Sequence, residues 1–110
     1  MPSSVPEVVN RYFALDADRD IDALVSLFAP DASVLDEGQE YRGAEAIRSW
    51  QAGAASAFSY TTTVTSAVAL ATDRHRVTAR LDGNFPGGTA MLNFEFTTTE
   101  GRIGRLAIAP

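Results

Sequence analysis

The sequence predicts an α+β fold, with three N-terminal helices packed in a cone against a curved, largely antiparallel sheet. Two features carry that expectation. Residue types are segregated: all ten threonines fall between Thr61 and Thr99, whereas ten of the fourteen acids lie before residue 58. Threonine suits strands, as alanine, leucine and glutamate suit helices. Periodicity changes at the same place, from apolar stripes at helical spacing to alternation. Helices first and strands after is the order of an α+β domain rather than of alternating βαβ units. At 110 residues the chain makes one domain spanning 1–110, and a chain of that size buries about two-thirds of its unfolded surface without disulfide or metal staples.

Helix one is expected from Val5 to Asp16, with Ser4 and Glu7 at capping-box spacing and Val5, Val8, Val9, Tyr12 and Phe13 on one face. Helix two begins after the N-cap Asp20. Its stripe is Ile21, Leu24, Val25 and Phe28, and Pro30 closes it. A short strand follows from Ala32 to Asp36. Helix three runs from Gly43 to Ala55 with Ile47, Trp50 and Ala54 on its buried side. Strands are then expected at Phe58–Ala71, Arg76–Phe85, Thr89–Thr99 and Arg102–Ala109. Their turns are Asp73-Arg74-His75-Arg76, Pro86-Gly87-Gly88 and Glu100-Gly101. Along Thr89–Thr99, Leu92, Phe94 and Phe96 share one face, and Asn93 and Glu95 the other. The sheet's outer face should be rich in threonine and weakly charged, which leaves it open to pair with a second copy.

Composition narrows the function. A net charge of −5 argues against nucleic acid as the main partner. No cysteine and a single histidine leave no thiolate chemistry and no multi-histidine metal centre, so no metal is expected. The absence of lysine removes Schiff-base chemistry and the P-loop. No apolar run is long enough for a membrane span, and the first residues carry no signal-peptide pattern, so a cytoplasmic protein with no membrane partner is expected. Asp16, Asp18, Asp20 and Asp22 alternate as a calcium loop begins, but Ile21 stands where that loop needs glycine and Leu27 where it needs glutamate. They read as a solvated turn followed by a cap. His75, between two arginines in an expected turn, reads as solvated.

Two residues stand out. Tyr12 lies on the apolar face of helix one, and a buried phenol needs a hydrogen-bond partner, whether a backbone carbonyl or a functional group. Strand parity puts Asp36 on the core side with Ala32 and Val34. A carboxylate there is costly unless it is paired or faces a cavity. The alternative is that the strand has ended and Asp36-Glu37-Gly38 is an exposed turn. Phe28 and Trp50, at helical spacing, read as core.

The stretches from Val8 to Tyr12, Asp20 to Phe28 and Pro30 to Asp36 resemble the start of the nuclear transport factor 2-like superfamily. Within it they are most similar to ketosteroid isomerases and SnoaL-like polyketide cyclases. Tyr41 to Arg48, Phe85 to Gly88 and Gly101 to Leu106 resemble the third helix, a hairpin and the last strand of SnoaL-like proteins. This resemblance implies that Tyr12 matches the isomerases' oxyanion-hole tyrosine, Asp36 their general-base aspartate and Trp50 a pocket aromatic. The isomerases add a protonated aspartic acid that also donates to the oxyanion. Leu92 matches that position and donates nothing, and loss of one such donor costs about 3 kcal/mol of transition-state stabilisation. A cyclase that relies on one aspartate loses less.

Two functional readings follow. In the first, the chain is a cofactor-independent isomerase or cyclase acting on a hydrophobic ketone. Asp36 is its base, Tyr12 polarises the carbonyl, and Phe28, Trp50, Leu92, Phe94 and Phe96 line the pocket. In the second, it is a non-catalytic module of the same fold that binds a small apolar molecule or dimerises. Either way a homodimer is expected. The deciding observation is whether Asp36 and Tyr12 open into one cavity.

Overall fold

The computed structural model describes residues 5–53 and 59–110. Ser4, Ala54, Ala55 and Phe58, which enter the expected cap, helix end and strand start above, lie outside the described residues. The elements are α1 (Glu7–Asp18), α2 (Ile21–Val25), β1 (Phe28–Asp36), β2 (Gln39–Arg42), α3 (Ala44–Ala52), β3 (Tyr60–Ala71), β4 (Arg74–Gly83), β5 (Thr89–Thr99) and β6 (Arg102–Ala109). The six strands form one mixed sheet in the order β2-β1-β6-β5-β4-β3. Only β1 and β6 pair in parallel; every other neighbour is antiparallel. The three helices cover the inner face, as the residue segregation predicts.

α1 buries Val8, Val9, Tyr12 and Asp16, a stripe at helical period. It ends at Arg19, which takes a positive φ of 59°, while the Asp20 N–H reaches back to the Leu15 carbonyl at 3.1 Å. That pattern closes a helix by satisfying its last carbonyls. Asp20 then caps α2 as expected, accepting from the Ala23 N–H at 3.2 Å.

The second helix stops at Val25, short of the expected end at Pro30. The chain turns through Leu27, whose carbonyl accepts from the Ile103 N–H at 2.8 Å, and Phe28 pairs with Ile103 on β6. Strand pairing with β6 buries Phe28 as well as another helical turn would, and it supplies backbone partners that Pro30 denies to a helix. The register shifts between Phe28 and Ser33, where Pro30 needs no ladder hydrogen bond.

A further strand, β2, was not expected. Asp36 opposes Gln39, so Glu37 and Gly38 form a two-residue hairpin loop. Both have positive φ, 53° and 78°, which suits the twist of flanking strands. Asp36 is therefore the last residue of a continuing hairpin, not part of an open turn.

The charged segment after β3 is also shorter than expected. β4 begins at Arg74, so His75 is a strand residue opposite Phe96 and only 5 % exposed. Alternation puts His75, Val77, Ala79 and Leu81 on the inner face. The expected solvated turn is thus confined to residues before Arg74. On β5, Phe94 and Phe96 are buried on the inner face, and they meet Ile103 and Leu106 of β6 in the core.

β3 and β4 approach so closely at Gly83 that a Cβ there would lie 2.3 Å from the Ser59 carbonyl oxygen and 2.7 Å from the Tyr60 Cβ. Gly83→Ala is expected to cost about 2–3 kcal/mol by forcing the two strands apart. Phe28→Ala, which empties a buried site, should cost about 3–5 kcal/mol. Urea melts of both variants check these values; unchanged midpoints would mean that neither contact matters.

Candidate functional site

A cavity of about 270 Å³ opens between α1, α3 and the concave face of the sheet. α1 contributes Tyr12, Phe13 and Asp16; the end of β1 contributes Asp36; α3 contributes Trp50 and Gln51. β3 adds Tyr60 and Thr62, and β5 adds Ala90, Leu92 and Phe94 at alternating positions. The walls are mostly apolar, and the polar groups are few and grouped, as in small-molecule sites generally.

Asp36 shares its strand face with the fully buried Ala32 and Val34, and it is half-buried itself. The Trp50 indole N–H donates to its Oδ2 at 3.0 Å. The tryptophan is steadied by Tyr41 of β2, ring centroids 6.3 Å apart. The indole fixes one carboxylate oxygen and leaves the other as the atom that can meet a ligand proton.

Tyr12 is 3 % exposed. Its ring packs edge-on against Phe28 and Phe96, centroids 6.3 and 5.4 Å away. Burial holds its phenol pKa well above the ordinary value of 10.0, and the nearby Asp16 carboxyl pushes the same way; a hydrogen bond with Gln51 opposes them. The phenol therefore keeps its proton and stays a hydrogen-bond donor.

Of the residues expected at the site, Tyr12, Asp36, Trp50, Leu92 and Phe94 line this one cavity. Phe28 and Phe96 do not. They lie one layer deeper, 5 % and 0 % exposed, as the packing behind Tyr12. The reason is geometric: Phe28 belongs to β1 rather than to a helix, and Phe96 lies two residues beyond Phe94 toward the closed end of the cone.

The cavity also holds Gln51, Tyr60 and Thr62, to which the sequence assigned no role, and Asp16, which it placed in a solvated turn. Asp16 is not part of a solvated turn. The Gln51 amide donates to its Oδ1 at 3.4 Å and the Tyr60 hydroxyl to its Oδ2 at 3.3 Å. A signal existed, because Asp16 continues the buried Val8–Tyr12 stripe by one turn and Gln51 lies one turn from Ile47. Desolvation raises the Asp16 pKa, with the two hydrogen bonds and Arg19 opposing it. Desolvation also lifts the Tyr60 phenol to about 12, with Asp16 adding to the effect. Among the described residues no group of three or more metal-ligating side chains converges, and no helix is long and apolar enough to cross a membrane.

Helices closing one face of a curved, unclosed six-stranded sheet define the nuclear transport factor 2-like architecture. Within it, this chain belongs to the SnoaL-like domain family, whose model matches residues 9–105. A crystal structure of a candidate polyketide cyclase from Sinorhizobium meliloti is 41% identical and superposes with a TM-score of 0.89 over 96% of this chain and 95% of that one. A protein of ketosteroid isomerase-like fold from Catenulispora acidiphila, solved with trimethylamine, is 24% identical (TM-score 0.85, 97% and 87% covered). A Mycobacterium tuberculosis protein in complex with estradiol-17β-hemisuccinate is 16% identical (TM-score 0.79, 94% and 90% covered). No curated protein sequence matches the chain.

The raised Asp16 pKa has a consequence for stability. The folded chain holds this proton more tightly than the unfolded chain, so the group's contribution is fully present below about pH 4 and is lost as pH rises through the higher folded value. Asp16→Asn is therefore expected to raise the urea midpoint relative to the parent at about pH 7.5, the gain shrinking toward about pH 4. A gain that does not vary with pH would contradict this.

Proposed function

We propose that the chain is a cofactor-independent isomerase or cyclase that moves a proton on a hydrophobic ketone-like compound. The observation that carries this reading is that the Asp36 carboxylate and the Tyr12 phenol line the same mostly apolar cavity. Asp36 takes a proton from the carbon beside the carbonyl, with the Trp50 N–H holding its other oxygen in place. The Tyr12 hydroxyl donates to the carbonyl oxygen as negative charge develops there. The apolar walls seat the hydrocarbon and keep water from competing for the proton.

Leu92 in the cavity wall favours a second reading, a ligand-binding module without turnover, because it offers no donor where the isomerases carry an acid. The readings separate on Asp36→Asn, which keeps shape and removes the base. We expect turnover across a panel of unsaturated ketones to fall at least about 100-fold with the fold intact. Tyr12→Phe, which keeps the ring packing, should lose less. Unchanged turnover and unchanged ligand affinity in Asp36→Asn would sink the enzyme reading and leave the binding module.

We also propose a homodimer formed through the outer face of the sheet, with twofold symmetry. That face is more charged than the threonine content led us to expect. However, Arg74 and Arg76 share Glu95 at 3.7 and 3.2 Å and Arg80 pairs with Asp82 at 3.0 Å, so all but one of these charges are offset locally. Val68 and Met91 are half-exposed among them. Light scattering at micromolar concentration should give twice the mass of the single chain; the single-chain mass throughout that range would exclude the dimer.

A further inference from the structure

The proposed proton transfer uses one carboxyl group, and the cavity has two that are buried or half-buried, Asp36 and Asp16; the third that lines it, Glu37, is exposed. Asp16 lies one helical turn beyond Tyr12, lines the same cavity and is 8 % exposed. Consecutive residues of α3 hold the pair: Trp50 binds Asp36 and Gln51 binds Asp16. The environments differ. Asp36 is half-buried and accepts from an indole, whereas Asp16 is buried between a neutral amide and a neutral phenol. Two carboxyls in one cavity with unlike surroundings is the arrangement that separates an acid from a base.

We propose that Asp16 is the catalytic acid of this cavity, giving its carboxyl proton to the carbonyl oxygen of the same ligand whose C–H proton goes to Asp36. The proposal rests on the reading of Asp36 as base. The Gln51 side chain hydrogen-bonds to both Asp16 and the Tyr12 phenol, so the two groups stand on either side of one amide, and a ligand oxygen that accepts from the Tyr12 hydroxyl is near the Asp16 carboxyl. The groups facing Asp16 are Tyr12 and Arg19 from its own helix end and Tyr60 from β3, with Asp36 in the same cavity. Its desolvation outweighs the two hydrogen bonds and Arg19, which favours the protonated form that an acid needs.

The step balances. The C–H bond breaks and its proton moves to Asp36. The C–H electron pair becomes a carbon–carbon double bond, and the carbonyl π pair moves to oxygen. Oxygen takes the Asp16 proton, leaving a neutral enol and an Asp16 carboxylate. Asp36 then delivers its proton to a second carbon conjugated with the first, and the enol O–H proton returns to Asp16. The carbonyl oxygen of the ketone is seated toward α1, where Tyr12 and Asp16 line the cavity.

The probe is 2-naphthol, whose hydroxyl oxygen mimics that of the enol, with naphthalene as the control lacking oxygen. In the full chain, Asp16→Leu should weaken 2-naphthol binding about tenfold, the worth of one strong hydrogen bond, and leave naphthalene binding unchanged. Asp16→Asn, which keeps an N–H donor but no acid proton, should restore 2-naphthol binding while kcat on an unsaturated ketone stays low and KM does not move. Equal 2-naphthol affinity in Asp16→Leu and parent overturns the proposal, even where Asp36→Asn abolishes turnover. Parallel loss of both probes also overturns it, because it shows a packing role. Selective loss of 2-naphthol supports it even if Asp36→Asn turns over normally, a result that would sink the base reading alone. Should Asp16→Leu not fold, carboxyl carbon NMR of the parent decides: an Asp16 titration midpoint moved by bound 2-naphthol supports the proposal, and an unmoved one overturns it.

Discussion

The parallel pairing of β1 with β6 is the contact on which the rest of the molecule depends. It joins residues 28–36 to residues 103–108 and so brings the helical half of the chain onto the strand meander. Without it β1 and β2 would form an isolated hairpin, and such hairpins are at best marginal in water. The same pairing sets Asp36 opposite Ile108, and both line the cavity. One ladder therefore closes the core and aims the carboxylate.

The polar groups of the cavity are held by short-range geometry imposed on long-range packing. Trp50 and Gln51 are neighbours on α3, yet they reach carboxyls that lie 14 and 35 residues away in sequence. A helix can do this because adjacent residues diverge by about 100° around its axis, so one helix can serve two walls of a cleft. Burying two carboxyls is costly unless each has a partner, and α3 supplies one to each. The arrangement spends stability to place protonatable groups in an apolar space, a common trade at functional sites.

Behind the cavity, the core and the cavity wall are joined by aromatic side chains. Tyr12 is held by Phe28 and Phe96, and Phe13 meets Phe94 at 5.1 Å. These edge-on contacts fix the tyrosine ring more tightly than an aliphatic wall would. Phe28 and Phe96 touch no part of the cavity, but they determine where the phenol points.

Much of this was legible in local pattern. The face of α1 that carries Tyr12, the Asp20 cap, the inward parity of Asp36 with Ala32 and Val34, and the alternation of β5 all follow from periods of 3.6 and 2 acting within one element. The family likeness added which of those residues to weigh. Other features depended on partners distant in the chain. Phe28 satisfies a helical stripe and a strand equally well, and only the Ile103 backbone, reached through the whole sheet, made it a strand. β2 exists because Asp36 had β6 on one side and open hydrogen-bonding groups on the other. His75 is buried because Phe96 stands opposite it, and Asp16 because Gln51 and Tyr60 close over it. Periodicity reports which face of an element is apolar. It is silent on what covers that face, and burial, and with it the upward direction of the Asp16 pKa, is set by the cover.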